Sequence, residues 1–188
     1  MCSRYYISHK MYDSLPAFLI SADSRRYVGD VCPSDKALII RRGSAGMEPC
    51  ELSWGYPSKN NVGLVINARA ESLHEKPLFC DDVMNRRCLI PASGFYEWDK
   101  KKQKAAISIP DEPVIYFAGI YSLHSGLEQF VIITREASED MRRIHDRMPL
   151  IVLGKKMEEW FSDEYRNILK AEAVPLDIKI ENEQLSFI

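Results

Sequence analysis

Short apolar runs separated by polar turns limit the possible folds of this chain more than any other feature of its sequence. The runs that predict strands are residues 37–41, 63–67, 87–91, 105–109, 114–121, 128–135 and 148–153, followed by an alternating segment at 176–180. Apolar runs of this length are typical of largely buried strands, whereas buried helices need longer ones. Many short strands with few helices predict an α+β fold around a curved, barrel-like and mostly antiparallel β core.

Peripheral helices are predicted from three segments. They are residues 10–20, the segment that begins at Ser138, and residues 155–169. Ser138 is followed by Glu139 and Asp140, which places acidic side chains in the first turn of a helix. Trp160 and Phe161 lie on the apolar side of the last helix. We expect these helices to pack around the β core rather than to form a layer of their own.

Two connections indicate which strands are neighbours. Residues 124–126 join the runs 114–121 and 128–135 and hold a Ser-Gly pair, which is a good hairpin signal. A turn with two prolines separates 105–109 from 114–121, and we expect those two strands to pair as well. No repeat, low-complexity tract or long linker divides the sequence, so we expect a single domain over residues 1–188.

The charge balance restricts the classes of partner that this chain can bind. Lys and Arg number 25 against 27 Asp and Glu, which gives a formal net charge of -2. Proteins that grip nucleic acid over most of their surface are usually basic, so any such contact here must be a local patch. The sequence has neither a signal-peptide core at its start nor an apolar run of the ~18 residues that span a membrane. We expect a soluble, cytoplasmic protein.

The cysteines favour neither a disulfide framework nor a metal site. Five is an odd number, and no two of them form a Cys-x-x-Cys pair. They are Cys2, Cys32, Cys50, Cys80 and Cys88. We expect reduced thiols, no metal and no cofactor.

Cys2 is the exception among these thiols, because it becomes the first residue once Met1 is trimmed. Its α-amine would then have an ordinary pKa of about 7.7–8.0, so a useful fraction is uncharged at neutral pH. Such an amine adds to an aldehyde to give an imine, and the adjacent thiol closes a five-membered thiazolidine ring on it. The alternative is a frayed terminus. The apolar run 5–7 favours an anchored one.

Two polar groups follow or interrupt apolar runs and are candidates for a site. Asn67 and Arg69 stand at the end of the run 63–67, where side chains often enter a cleft. The alternative is a strand-to-helix junction with Asn67 as N-cap. Glu97 lies among Phe95, Tyr96 and Trp98, where burial would raise its pKa and suit it to acid–base work. Alternatively, Glu97 points to solvent.

His145 is the histidine best placed to move protons, because it stands between a helix and a buried strand. Asp146 or Arg147 could orient it, or Arg147 could hold a phosphate. A surface histidine in a loop is the alternative. His9, His74 and His124 lie in polar or turn-like surroundings, where that alternative fits well.

Four motifs in a fixed order resemble those of the SOS-response-associated peptidase (SRAP) family. They are Met1-Cys2-Ser3-Arg4, Asn67-Ala68-Arg69-Ala70-Glu71, Gly94-Phe95-Tyr96-Glu97-Trp98 and His145-Asp146-Arg147-Met148-Pro149. The resemblance extends over nearly the whole chain, from residue 2 to residue 160. It implies a monomeric sensor of abasic sites in single-stranded DNA, nucleoid-associated when bound, whose N-terminal cysteine cross-links to the sugar aldehyde as a thiazolidine.

The resemblance also implies roles for particular residues. Cys2 would be the nucleophile, Asn67 would position the N-terminus, and Glu97 and His145 would transfer protons. The residues implied in DNA binding are Arg4, Arg69 and Arg147 for phosphates, and Trp54 and Trp98 for the cleft wall or for stacking on a base. For both tryptophans core packing is the alternative. The family is named for a cysteine-dependent autoproteolysis, so peptidase, hydrolase and lyase classes are all implied.

The chain departs from the family pattern at three places. Ser3 replaces a glycine, Asp30 replaces an asparagine close to the expected phosphates, and residues 56–61 lack a tryptophan that the family often carries. Two other functions stay open from the residues themselves. Cys2, His145 and Asn67 could serve a cysteine or N-terminal-nucleophile hydrolase of peptides or amides. A non-catalytic single-strand-binding module would have no need of Cys2.

Overall fold

Short strands make up most of the secondary structure. The computed structural model describes residues 2–20, 27–59 and 62–181. Its strands are β1 (Tyr5–Ile7), β2 (Gly29–Val31), β3 (Lys36–Gly43), β4 (Gly46–Trp54), β5 (Tyr56–Pro57), β6 (Leu64–Val65), β7 (Asn67–Arg69), β8 (Arg87–Ala92), β9 (Gly94–Trp98), β10 (Lys104–Ser108), β11 (Ile115–His124), β12 (Leu127–Glu136), β13 (Arg147–Pro149), β14 (Ile151–Val152) and β15 (Asp177–Ile180). Its α-helices are α1 (His9–Ser14), α2 (Cys80–Asn85), α3 (Glu139–Arg142), α4 (Met157–Phe161) and α5 (Tyr165–Lys170). Single 3₁₀ turns cover Ala17–Leu19, Ala70–Ser72 and Gly154–Lys156.

Five of the strands close into a ring. The order is β12, β4, β3, β8 and β11, and β11 pairs again with β12. Every pairing in the ring is antiparallel except β4 with β12, where Trp54 lies opposite Phe130. Closing a sheet removes its exposed edges. The predicted α+β fold with a barrel-like, mostly antiparallel core is therefore confirmed.

A second, antiparallel sheet packs beside the ring, in the order β15, β10, β9, β1 and β2. The chain passes from one sheet to the other at Ser93, because β8 belongs to the ring and β9 to the second sheet. The Ser93 amide donates to the Tyr6 carbonyl, and its hydroxyl accepts from the Ser8 amide at 2.9 Å. Gly94 is needed next to it, since a Cβ there would overlap the Tyr6 ring and the Ile107 carbonyl. β1 is thus held firmly between β9 and β2.

The core between the two sheets is aromatic. The Tyr5 ring lies 5.4 Å from that of Trp54 and 5.8 Å from that of Phe117, and Phe95 also contacts Phe117 edge-on at 5.9 Å. All four side chains are fully buried. Burying such a side chain contributes about 1.5–3 kcal/mol, so this cluster fixes the N-terminal strand against the ring.

Both long predicted helices are interrupted, which corrects the sequence prediction. α1 ends at Ser14 because Pro16 favours an extended residue before it, and Leu15 has a φ of -72° and a ψ of 140°. The segment 155–169 forms a 3₁₀ turn followed by α4 and α5. Ser162 is extended between the two helices, and its hydroxyl accepts from the Glu164 amide.

Three strand predictions also need correction. The run 63–67 divides into β6 and β7. The run 148–153 divides at Leu150, whose amide donates to β12 and whose carbonyl accepts from β11, so β13 and β14 pair with different strands. β10 pairs with β9 and β15 rather than with β11. The hairpin between β11 and β12 forms as predicted.

Candidate active site

Cys2 lies shortly before β1, which begins at Tyr5. Its side chain is 0% exposed, and its Sγ lies 3.9 Å from the Arg4 carbonyl. β1 pairs on both sides, with Tyr5 opposite Val31 and Phe95. The start of the described chain is therefore anchored rather than frayed.

Asn67 fixes the backbone of Cys2. Its Nδ2 donates a hydrogen bond of 2.8 Å to the Cys2 carbonyl across 65 positions in the sequence. Asn67 opens β7, where it pairs with Ile132 of the ring, so it is not the N-cap of a helix. Its Oδ1 is buried and has no hydrogen-bond partner in the described part of the chain.

Glu97 is buried on the inner face of β9, beside Phe95, while Tyr96 and Trp98 are more exposed. Only 3% of Glu97 is accessible to solvent. Burial raises the pKa of its carboxyl, and the positive charges of the amino terminus and of His145 oppose that rise in part. Burial also raises the pKa of the Cys2 thiol well above its usual range, and the charge of Glu97 raises it further. The carboxyl and the thiol thus act on each other inside one desolvated pocket.

His145 follows α3 and stands partly open to solvent, with 27% of its side chain exposed. Its Nδ1 lies 3.0 Å from the Arg147 amide, a donor, and 2.8 Å from Asp146 Oδ1, an acceptor. One ring nitrogen cannot serve both at once. The neutral Nε2–H tautomer accepts from Arg147, and a ring protonated at Nδ1 donates to Asp146. His145 therefore has a partner in either protonation state, as proton transfer requires.

Arg147 is occupied by contacts within the protein. Its Nη1 and Nη2 each lie 2.9 Å from an oxygen of Glu71, and Nη2 also donates to the Thr134 carbonyl at 2.8 Å. Although partial burial acts to raise the pKa of Glu71, the hydrogen bonds from Arg147 bring it below its usual range. The Arg147 side chain is 12% exposed. It fixes the loop of His145 to the end of β7, rather than standing free for a phosphate as the sequence predicted.

The role of Glu71 was missed from the sequence. It closes the motif that starts at Asn67, and a bidentate arginine partner is a common use of such a carboxylate. That position was the available signal. Across the described residues, no group of three or more His, Cys, Asp and Glu side chains is arranged to share a metal ion.

Comparison with known proteins places this site in a family. A family model described as SOS response associated peptidase (SRAP) matches residues 1–186. The chain belongs to this family. The structure brings Cys2, Asn67 and Glu97 together, and the charge of His145, which is partly exposed, acts on Glu97.

Several curated relatives are each described as an abasic site processing protein. Abasic site processing protein YoaM of Bacillus subtilis is 36% identical over 147 residues, which are 71% of this chain and 65% of YoaM. Abasic site processing protein YoqW of the same species is 32% identical over 182 residues, or 86% of this chain and 80% of YoqW. Abasic site processing protein YedK of Escherichia coli is 28% identical over 181 residues, or 87% and 81%. The chain spans less than two thirds of the length of YoaM.

Solved structures share the fold. A crystal structure of a protein from Bacteroides thetaiotaomicron superposes with a TM-score of 0.81 at 23% identity, covering 97% of this chain and 93% of that one. A protein from Bordetella bronchiseptica gives 0.77 at 21% identity, with 96% and 100% covered. At these identities the likeness concerns the fold alone. Separately, none of the helices in the described ranges is long and apolar enough to cross a membrane.

The two tryptophans expected at the DNA have different surroundings. Trp54 is 0% exposed, stacks on Phe130 at 6.2 Å and donates from its indole nitrogen to the Ile66 carbonyl. A side chain in that position cannot stack on a base, so the prediction for Trp54 is wrong and core packing is correct. Trp98 is only partly buried, and the Arg4 guanidinium lies 5.5 Å above its ring. Trp98 stays a candidate for base contact.

The departures from the SRAP pattern have limited structural effect. Ser3 is not among the described non-glycine residues with positive φ, so this position needs no glycine. Asp30 lies 3.6 Å from Arg4, and both side chains are 40% exposed. The Asp30 carboxylate therefore competes with the expected DNA phosphate for Arg4. Residues 56–59 form β5 and the start of a turn, whereas Asn60 and Asn61 lie outside the described residues, as does Met1.

Proposed function

We propose that this protein recognises abasic sites in single-stranded DNA and, after removal of Met1, binds them covalently through Cys2. The hydrogen bond from Asn67 to the Cys2 carbonyl, next to buried Glu97, carries the proposal. It fixes the carbonyl group next to Cα, the carbon that carries the reacting amine and, through Cβ, the thiol. Relatives named as abasic site processing proteins support it. The activity would belong to a monomer in the cytoplasm, at DNA.

The substrate is the ring-opened form of an abasic deoxyribose, which exposes an aldehyde at C1′. The Cys2 amine adds to this carbon, and loss of one water leaves an imine. Sγ then adds to the imine carbon, and the thiol proton ends on the nitrogen. The product is a ring of C1′, N, Cα, Cβ and Sγ, one water is released, and no oxidation or reduction takes place. In the chain that retains Met1 the Cys2 nitrogen is an amide, which cannot react in this way.

Glu97 is suited to move the protons of this sequence. Since burial raises its pKa, a larger share of its carboxyl is protonated near neutrality than in an exposed glutamate. The acid form can donate to the departing water, and the resulting carboxylate can accept the proton of the Cys2 thiol. The same groups working backwards would open the ring. His145, with a partner at Nδ1 in both protonation states, assists at the sugar oxygen.

A cysteine hydrolase fits the same residues less well. Such enzymes need a thiolate, and they lower the pKa of the thiol with a nearby cation. Here burial and Glu97 raise the pKa of Cys2 by more than the charge of the amino terminus lowers it. The raised value suits a thiol that reacts second, after the amine has captured the aldehyde. A binding module without chemistry would have no use for this buried pair.

The direct test is a cross-linking assay with protein whose Met1 has been removed. It is incubated with a single-stranded oligonucleotide that contains one abasic site and is then analysed on a denaturing gel. We expect a slowly migrating covalent species. Cys2→Ala should lose it, but should regain a weaker band when borohydride is added, because an N-terminal alanine still forms a reducible imine.

A matched variant separates the amine from the thiol. Insertion of one residue between Met1 and Cys2 leaves the thiol in the chain but keeps its nitrogen in a peptide bond, and we expect no covalent species from it. Cross-linking by this variant, or by Cys2→Ala without borohydride at the wild-type rate, would contradict the proposed chemistry.

A further inference from the structure

A groove with an excess of positive charge extends from Asp146 and Arg147, next to His145 in the chain, to α5. It consists of two adjoining cavities, an inner one of about 520 Å³ and an outer one of about 540 Å³. Glu136 lines both of them. The ion pair between Glu71 of the outer cavity and Arg147 of the inner one forms the boundary between them.

The charge in this groove contrasts with that of the whole chain. The cations that line it are Arg69, Arg142 and Arg147 in the inner cavity and Arg135, Arg166 and Lys170 in the outer one. The acids are Glu71, Glu136 and Asp146. Six cations thus face three acids, in a chain whose acids exceed its basic residues by two. Glu71 is already neutralised by Arg147, which leaves the outer cavity positive.

The outer cavity is built from two elements that converge on it. Arg166 and Lys170 are four residues apart on α5 and share one of its faces. Arg135, at the end of β12, donates from Nη1 to the Ala171 carbonyl and so sits at the C-terminal end of the same helix. Its Nε is buried and has no hydrogen-bond partner within the described residues.

The electrostatics of His74 agree with a positive cavity. Its Nε2 lies 2.8 Å from the hydroxyl of Tyr165, the first residue of α5. Burial lowers the pKa of this histidine, and the charge of Arg166 lowers it further. The cavity therefore disfavours one more cation and favours an anion.

We propose that the outer cavity is a phosphate subsite, in which Arg135, Arg166 and Lys170 hold a phosphodiester group of the DNA strand on one side of the abasic sugar. This rests on the proposed function, because the groove starts at Asp146 and Arg147, the two residues that follow His145. A strand is favoured over a small anion because the two cavities adjoin at Glu136 and together extend from Arg147 to α5, farther than a small anion would need. The part of the DNA strand on the other side of the abasic sugar would not reach α5.

The test compares two double charge reversals. Arg166→Glu/Lys170→Glu removes the two exposed cations of the outer cavity, and Lys101→Glu/Lys155→Glu changes the net charge equally at exposed positions that line neither cavity. Cross-linking rates are measured at limiting protein with three abasic oligonucleotides. One has a single nucleotide on each side of the lesion, one is extended on the 5′ side only, and one on the 3′ side only.

We expect Arg166→Glu/Lys170→Glu to react about 10–100-fold more slowly with one of the extended oligonucleotides and at the wild-type rate with the other two. For that oligonucleotide the salt dependence of binding should weaken by about 0.7 in the log–log slope, since one single-strand phosphate contact contributes about 0.7. Lys101→Glu/Lys155→Glu should behave as wild type throughout.

The outcomes distinguish this proposal from the proposed function. Equal slowing with both extensions, slowing by the control reversal, or no slowing at all would overturn the phosphate subsite while wild type still cross-links. If wild type fails to cross-link the short oligonucleotide, the proposed function itself fails. Thermal unfolding of both double variants near the wild-type midpoint verifies that the rates refer to folded protein.

Discussion

The buried site around Cys2 and the cationic groove differ in how far their charged groups are exposed to water. Cys2 and Glu97 are almost completely buried, and their pKa values are raised because the charged forms are poorly solvated. In the groove, Arg69, Arg166 and Lys170 are exposed. Interactions in a desolvated pocket are strong and insensitive to salt, whereas exposed charges act over a screened range. Substitutions in the pocket should therefore change reaction rates, and substitutions in the groove should change affinity and its salt dependence.

Glu97→Gln gives the sharpest contrast between the two regions. An amide cannot accept and return a proton, so we expect the cross-linking rate to fall by about 100- to 10,000-fold. Affinity for undamaged single-stranded DNA should stay within about 2-fold of wild type, because Glu97 does not line the groove. Single-turnover gels and a filter-binding titration measure the two quantities. Parallel loss of rate, affinity and folding would instead assign Glu97 a structural role.

The same variant makes a prediction about pH and stability. The pKa of Glu97 is raised in the folded protein, so folding favours the protonated form. The stability that protonation contributes is present at low pH and is lost as the pH rises through the raised pKa. Glu97→Gln imitates the protonated side chain. Its Tm should therefore exceed that of wild type by a few degrees, about 2–4 °C per ~1 kcal/mol, at pH 7, and the difference should shrink toward pH 4. A difference that grows with acidity would contradict this sign.

Asn67→Ala removes the group that fixes the Cys2 backbone, and its effect should again be on rate. Loss of one positioning contact misplaces the amine and the thiol, for which we expect about 10–100-fold slower cross-linking. The control is Asn85→Ala, which removes another asparagine side chain, one that bonds only to exposed Asp81. Asn85→Ala should keep the wild-type rate. An unchanged rate in Asn67→Ala would show that the hydrogen bond to Cys2 does not position the reacting atoms.

Asp30→Asn changes an exposed ion pair and should have the smallest effect of these substitutions. It releases Arg4 from an ion pair in which both partners are 40% exposed, and such pairs contribute little. We expect about 2–3-fold tighter binding of single-stranded DNA at low salt, disappearing at high salt as screening increases. Asp177→Asn, which releases Lys179 at the far edge of the same sheet, is the matched control. A gain that persists at high salt would show a contact other than charge.

The sequence carried enough information for the closed β core and for one hairpin. In the turn between β11 and β12, Ser125 has a φ of 51° and Gly126 a φ of 82°, as a two-residue turn of type I′ requires. This turn is local, so its residues reveal it. The pairing of β10 was predicted wrongly because its partners β9 and β15 are decided by the core of the second sheet, and no short-range signal identifies them.

The candidate site, like the fold, could be predicted from the sequence only in part. The motifs pointed to Cys2, Asn67 and Glu97, which the structure places close together, and of the two alternatives left open for Glu97 it shows the buried one. The resemblance implied Trp54 for the DNA contact with core packing as the alternative, and only its neighbours in the fold decide for core packing. The occupation of Arg147 by Glu71 joins positions that are 76 residues apart, and only the tertiary structure brings them together.

Mass spectrometry of the isolated DNA adduct tests most directly whether a free amine and its neighbouring thiol react together. We expect the mass of the protein without Met1 plus that of the oligonucleotide, minus one water, with fragmentation that places the DNA on residue 2. An adduct that still contains Met1, or a link to any other residue, would contradict the account.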